Sequence, residues 1–125
     1  AVPAPASPPQ EPRRPPADAA CAWRTVSVIR DEHTRPVYSV DWLASGATSA
    51  GDVLATGCGD NRVRVFAASG QGDQEWRCVA EVEAHGGDVN CVAWCPAPPG
   101  SAGARAGALL ASAGDDGEIA LWRFS

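Results

Sequence analysis

LLASAGDDGEIALW, residues 109–122, is the stretch that decides the fold of this 125-residue chain. A small apolar run, 109–113, stops at Asp115-Asp116-Gly117, residues suited to a tight turn with a positive φ. Apolar Ile119 and Leu121 then alternate along a second run ending at Trp122. That is two short strands joined by a hairpin. The same grammar appears earlier as LATGCGDNRVRVF, residues 54–66. Aligning Asp60 with Asp116 places Leu54 on Leu110, Ala55 on Ala111, Thr56 on Ser112, Val63 on Ile119, Val65 on Leu121 and Phe66 on Trp122. In 62–66, Val63 and Val65 point one way and Arg62 and Arg64 the other.

Working outward, RPVYSVDW (35–42) and DVNCVAW (88–94) match in the same manner. His33 falls on His85, Val37 on Val89, Val40 on Val92 and Trp42 on Trp94, while Trp23-Arg24 returns as Trp76-Arg77. An internal repeat of this length marks a repeated supersecondary unit. Each copy reads as four strands: 23–29, 37–42, 53–58 and 62–66, then 77–82, 89–94, 109–113 and 118–124. The connections 44–52, 67–75 and 95–108 differ between the copies. Residues 1–20 are rich in Pro and Ala, which predicts a disordered loop, and 21–125 carry the repeats. The PxxP spacing near Arg13-Arg14 is read as part of that loop. The start at Ala1 and the absence of Met lead us to expect a partial chain.

Composition narrows the function classes. Fifteen acids face ten bases, all Arg, for a net charge of −5, and no basic cluster suits nucleic acid or an anionic membrane. No apolar run has the length of a membrane span. The five cysteines, Cys21, Cys58, Cys78, Cys91 and Cys95, form no C-x-x-C pair and have no neighbouring His pair, so no metal and no cofactor site is expected. They read as reduced, mostly buried thiols of an intracellular protein. No G-x-S-x-G, phosphate-binding loop, H-E-x-x-H or paired-carboxylate constellation appears, which argues against an enzyme with catalytic residues.

The pattern His–x₃–Val–x₂–Val–x–Trp, then Leu-Ala-Ser/Thr, then Asp–x₂–Val/Ile–x–Val/Leu–Phe/Trp resembles the WD-repeat family. The resemblance implies an all-β propeller, here about two blades of a seven-bladed ring, with repeat units at about 33–66 and 85–122. It also implies a structural hydrogen-bonded chain in each repeat. His85, Ser112, Asp116 and Trp122 supply all four members in the second copy. His33, Thr56 and Asp60 supply three in the first, where Phe66 lacks an N–H and should shorten the chain by one bond. A closed ring of this family takes the outer strand of its last blade from the chain's N-terminus, so this fragment is expected to lack its own latching strand.

The quoted strings are similar to the C-terminal blades of the branch of that family acting in cytosolic iron–sulfur protein assembly. This implies a non-catalytic scaffold in the cytoplasm, and also the nucleus. Its partners would be the other proteins of an iron–sulfur targeting complex and the recipient apoproteins. No nucleic acid or membrane partner is expected. The alternative is a WD-repeat adaptor of another complex, such as a ubiquitin-ligase substrate receptor. Such receptors carry Trp-Asp-x-Arg after the fourth strand, whereas Trp122 is followed here by Arg123-Phe124-Ser125 and Phe66 by Ala67-Ala68-Ser69. Candidate partner-binding residues are the rim positions Arg35, Tyr38, Asp88, Asn90 and Asp115.

Overall fold

A computed structural model describes residues 21–44, 51–69, 75–96 and 107–125. The Pro/Ala-rich 1–20 and the interiors of the three variable connections lie outside these. Among the described residues every regular element is a strand. In chain order they are β1 (Val37–Leu43), β2 (Val53–Cys58), β3 (Arg62–Ser69), β4 (Glu75–Glu83), β5 (Val89–Cys95), β6 (Ala108–Gly114) and β7 (Ile119–Phe124). They form two antiparallel sheets. The first, sheet A, runs β1-β2-β3-β4, and the second, sheet B, runs β5-β6-β7.

The two hairpin turns are built alike. Asn61 N–H closes the first onto Cys58 O, and Gly117 N–H closes the second onto Gly114 O. The residue leaving each turn has a positive φ, 71° at Asn61 and 78° at Gly117, which Asn and Gly tolerate. The turn aspartates accept the backbone N–H two residues on, Arg62 to Asp60 and Glu118 to Asp116.

Register repeats too. Trp42 faces Leu54 and Leu54 faces Phe66, while Trp94 faces Leu110 and Leu110 faces Trp122. The core lies between the sheets. Leu43, Val53, Ala55, Val63, Val65 and Ala67 of sheet A close on Val89, Val92, Trp94, Ala108 and Leu110 of sheet B. Ser39 Oγ accepts from Val92 N–H (3.1 Å) and Asp41 Oδ2 from Trp94 N–H (2.6 Å), so two polar side chains of β1 cap the backbone of β5.

Tertiary pairing corrects the sequence reading at one strand. Residues 23–29 alternate like a strand but have no regular structure. The sheet that holds β1, β2 and β3 takes its fourth strand from β4, so the structural blade is offset by one strand from the sequence repeat. A period-2 pattern becomes a strand only where a free edge offers hydrogen bonds, and β4 already occupies the edge of β3. Trp23 is left 97% exposed. Among the described residues sheet B has three strands, and β7 is its edge.

The cysteines also differ from expectation. Cys58 is buried and Cys78 half-buried, but Cys21, Cys91 and Cys95 are exposed, so the set is not mostly buried. Cys91 and Cys95 share a face with their cross-strand partners Ala113 and Leu109, the side of sheet B turned away from sheet A.

Candidate functional site

Among the described residues, two polar constellations contain the side chains singled out from the sequence. The first is the buried chain in each blade. In sheet B, Trp122 Nε1–H donates to Ser112 Oγ at 2.9 Å, Ser112 Oγ lies 2.8 Å from His85 Nε2, and His85 Nδ1 lies 3.0 Å from Asp116 Oδ1. One proton assignment satisfies every atom. Nδ1 faces an acceptor-only carboxylate and so carries the proton. Nε2 then accepts the Ser112 O–H, leaving a lone pair on Oγ for the indole N–H. Asp116 is anchored further by the Gly86 N–H (2.9 Å), which, ahead of the Glu118 N–H and His85, holds its carboxyl below the usual range. Gly114 makes room for the ring, since a Cβ there would stand 2.5 Å from His85 Cγ.

In sheet A the chain is rebuilt. His33 Nε2 meets Thr56 Oγ1 at 2.8 Å, and the ring lies 5.5 Å from the buried Phe66 ring, which offers no N–H. Asp60 is not the partner of His33. Arg64 takes it with a two-pronged pair at 2.6 and 3.2 Å, and Thr34 Oγ1–H donates to it at 3.0 Å. The first copy is therefore shorter by two links, not one. Arg64 stands where the second copy has Ala120, and its guanidinium is nearly fully buried, with Glu81 as a second partner at 3.5 Å. The Arg64 hydrogen bond holds the Asp60 carboxyl far below the usual carboxylate range and in return raises the guanidinium. Burial, and then the Arg64 charge, lower the pKa of His33. Arg64 was missed in the sequence because an Arg alternating with Val reads as a solvated strand face.

His85, Asp116 and Glu118 bring three ligand-type atoms within 4.8 Å of one another. Both ring nitrogens of His85 are already engaged, by Asp116 and Ser112. A cation there would break the chain that holds the blade, so the cluster is a hydrogen-bonding one.

The second constellation is the rim where the β1 and β5 strands begin. Arg35, Tyr38 and Asp88 line one surface groove with Pro36 and Gly59, bridging the two sheets. Gly59 lets the groove close tightly, because a Cβ there would meet the Tyr38 ring at 3.2 Å and Arg35 Cβ at 3.3 Å. Asn90 and Asp115 stand together in the second blade, with Asn90 Nδ2–H donating to Asp115 Oδ1 at 2.6 Å. The backbone repeats underneath. Gly59 N–H bonds Pro36 O at 3.0 Å, and Asp115 N–H bonds Asp88 O at 2.9 Å. Thus the five rim positions fall into a groove of three and a bonded pair. Pro36 and Gly59 were not singled out as rim residues from the sequence.

The family profile for "WD domain, G-beta repeat" matches residues 23–67 and 76–123. A relative from Anopheles gambiae, the probable cytosolic iron–sulfur protein assembly protein Ciao1, is 38% identical over 86% of this chain and 28% of its own length. The proteins of the same designation from Mus musculus and Chlamydomonas reinhardtii are each 39% identical. They cover 82% and 94% of this chain and 28% and 33% of themselves. The chain thus spans about a third or less of the curated relatives it matches.

Proposed function

Because the chain belongs to the WD domain, G-beta repeat family, we propose that it acts as a non-catalytic scaffold in cytosolic iron–sulfur protein assembly. In this reading it sits in a targeting complex and helps hand clusters to recipient apoproteins through protein–protein contacts. The cluster is cargo, and the chain itself holds none. The pathway is supported by the names of relatives 37–40% identical over most of the chain, all probable cytosolic iron–sulfur protein assembly proteins. The scaffold role is supported by how the polar residues are used. The His, Ser/Thr and Asp side chains that could do chemistry are tied into the blades' own hydrogen bonds. Among the described residues, the rim groove presents polar side chains to a partner.

The observation carrying the partner-binding assignment is the groove shared by Arg35, Tyr38 and Asp88, which draws residues from both blades. An exposed Tyr beside an Arg is the residue combination enriched where binding energy concentrates. The test is affinity purification of the tagged protein from cytosol, beside Arg35→Ala and Tyr38→Ala variants. Assembly proteins should co-purify with the parent and be depleted at least tenfold with the variants. Recovery of ubiquitin-ligase subunits in their place would favour the alternative adaptor reading. Undiminished recovery with both variants would remove the rim assignment.

A further inference from the structure

The two repeats differ in how the rim above each hairpin is held. Arg64 pairs across from Thr56 where the second copy sets Ala120 across from Ser112. Ala at that position is enough for a blade whose Asp116 meets His85 at 3.0 Å and the Gly86 N–H at 2.9 Å. Arg64 is a costly residue to put there. Its side chain is 4% exposed, and burying a guanidinium is unfavourable unless its charge and its donors are met. Asp60 meets the charge, but Nε is buried without a protein partner. A residue that costs this much, where Ala serves in the other copy, points to a role beyond holding the blade.

The effect of Arg64 is to redirect Asp60. Asp116 serves its own histidine, whereas Asp60 is taken by Arg64 and accepts the Thr34 hydroxyl at 3.0 Å. The same carboxylate accepts the Arg62 N–H at 3.2 Å, so one side chain ties β3, the hairpin turn and the segment leading into β1. That segment is then held at each residue from 33 to 36. His33 Nε2 lies 2.8 Å from Thr56 Oγ1, Thr34 donates to Asp60, Arg35 O accepts the Cys58 thiol at 3.3 Å, and Pro36 O accepts the Gly59 N–H at 3.0 Å.

The rim groove needs such anchoring because its side chains cannot hold one another as their counterparts do. In the second copy Asn90 donates to Asp115 at 2.6 Å. The corresponding pair is Tyr38 and Gly59, and Gly59 has no side chain to accept a bond. Arg35 and Tyr38 are both exposed, so their placement depends on the backbone from which they project.

We propose that Arg64 is a positioning residue for the rim groove: it holds Asp60 away from His33 and onto Thr34, and so fixes Arg35 and Tyr38 in the arrangement a partner meets. The consequence for binding rests on the rim assignment above, whereas the positioning itself is measured without a partner. Without Arg64, Asp60 turns to His33 as Asp116 does to His85, and Thr34 loses its acceptor. The charges around His33 agree with this exchange. Burial and then the Arg64 cation lower its pKa, while Asp60, Glu32 and Glu81 act in the opposite sense. Removing Arg64 and bringing Asp60 closer both favour the protonated ring.

The chain suits a direct test, because Tyr38 is its only tyrosine and His33 and His85 are its only histidines. Fluorotyrosine labelling of the full chain gives a single fluorine NMR resonance, and proton NMR follows the two imidazoles through a pH titration. Arg64→Ala should raise the His33 pKa and shift or broaden the Tyr38 resonance. Thr34→Val keeps the Arg64–Asp60 pair and removes only its link to the rim, so it should move the Tyr38 resonance while the His33 pKa stays depressed. Thr34→Ser retains the hydroxyl and should give the parent spectrum. Arg64→Ala combined with Thr34→Val should move Tyr38 no further than the larger single change, since both act through one link. Leu43→Ala, a buried site at the far end of β1 opposite Val53, should lower stability and leave both signals in place. In affinity purification from cytosol, Thr34→Val should lose the partners that Tyr38→Ala loses, and Thr34→Ser should keep them. A parent-like His33 titration in Arg64→Ala overturns the proposal, as does a parent-like Tyr38 resonance in Thr34→Val. So does a Leu43→Ala variant that moves both signals as far as Arg64→Ala, or full partner recovery with Thr34→Val where Tyr38→Ala is depleted. Full recovery with both Arg35→Ala and Tyr38→Ala removes the rim assignment instead, and the two NMR signals then still decide the positioning.

Discussion

Replacing Trp122 by Phe tests whether the hydrogen-bonded chain of the second blade stabilises it or merely decorates it. The structure sets the size of the effect. The indole N–H donates at 2.9 Å to Ser112 Oγ, an atom 1% exposed as part of its residue. Phe deletes that donor and leaves one lone pair of the buried Oγ without its protein partner. A net hydrogen bond contributes about 0.5–1.5 kcal/mol, and a buried group left unsatisfied costs about 1–3 kcal/mol. The expected loss is about 1–3 kcal/mol.

Part of that loss is volume rather than hydrogen bonding, and a double-mutant cycle separates the two. Ser112→Ala should cost less in the Trp122→Phe background than in the parent, with a coupling of about 1 kcal/mol. Urea denaturation at fixed protein concentration supplies the four free energies. Sheet A contains the natural comparison. There Phe66 stands in Trp122's place and Thr56 keeps only its His33 bond. Phe66→Trp should therefore bring no matching gain, because Phe66 is fully buried and the larger indole must strain its surroundings. Additive single mutants, with no coupling between Trp122 and Ser112, would refute the reasoning and reduce the chain to packing.

Gly114→Ala should cost about 1–3 kcal/mol by thermal or urea unfolding, because its Cβ would lie 2.5 Å from His85 Cγ; Gly86→Ala, whose Cβ meets only Asp116 Cβ at 3.9 Å, should be close to neutral. Stability should fall as pH drops below about 6.5, the ordinary His value. The folded pKa of His33 is depressed by burial and Arg64, so the unfolded chain binds the proton first. That contribution is present above the unfolded pKa and is lost as pH falls toward the folded one. His33→Gln should flatten this part of a pH–stability profile, and an unchanged slope would exclude His33 as its source.

The strands other than 23–29, both hairpin turns and the pairing of the two repeats were legible in the residues themselves. Alternation shows which side chains share a face, and Asp-Asn and Asp-Gly show where the backbone reverses. His85, Ser112, Asp116 and Trp122 could be read as a set because all four are of types whose donors and acceptors match in sequence along one chain. What alternation cannot show is which neighbour a strand chooses. Residues 23–29 and 75–83 carry similar patterns, yet only the second finds an edge to pair with, since β3 has one free edge and β4 takes it. The capture of Asp60 by Arg64, and the capping of β5 by Ser39 and Asp41, were likewise decided in three dimensions. A charged or hydroxyl side chain on a strand reads as solvent-facing until another element closes over it. Residue types and spacing thus determined the blades, and the stacking of one sheet on another decided which polar groups hold them together and which faces remain open.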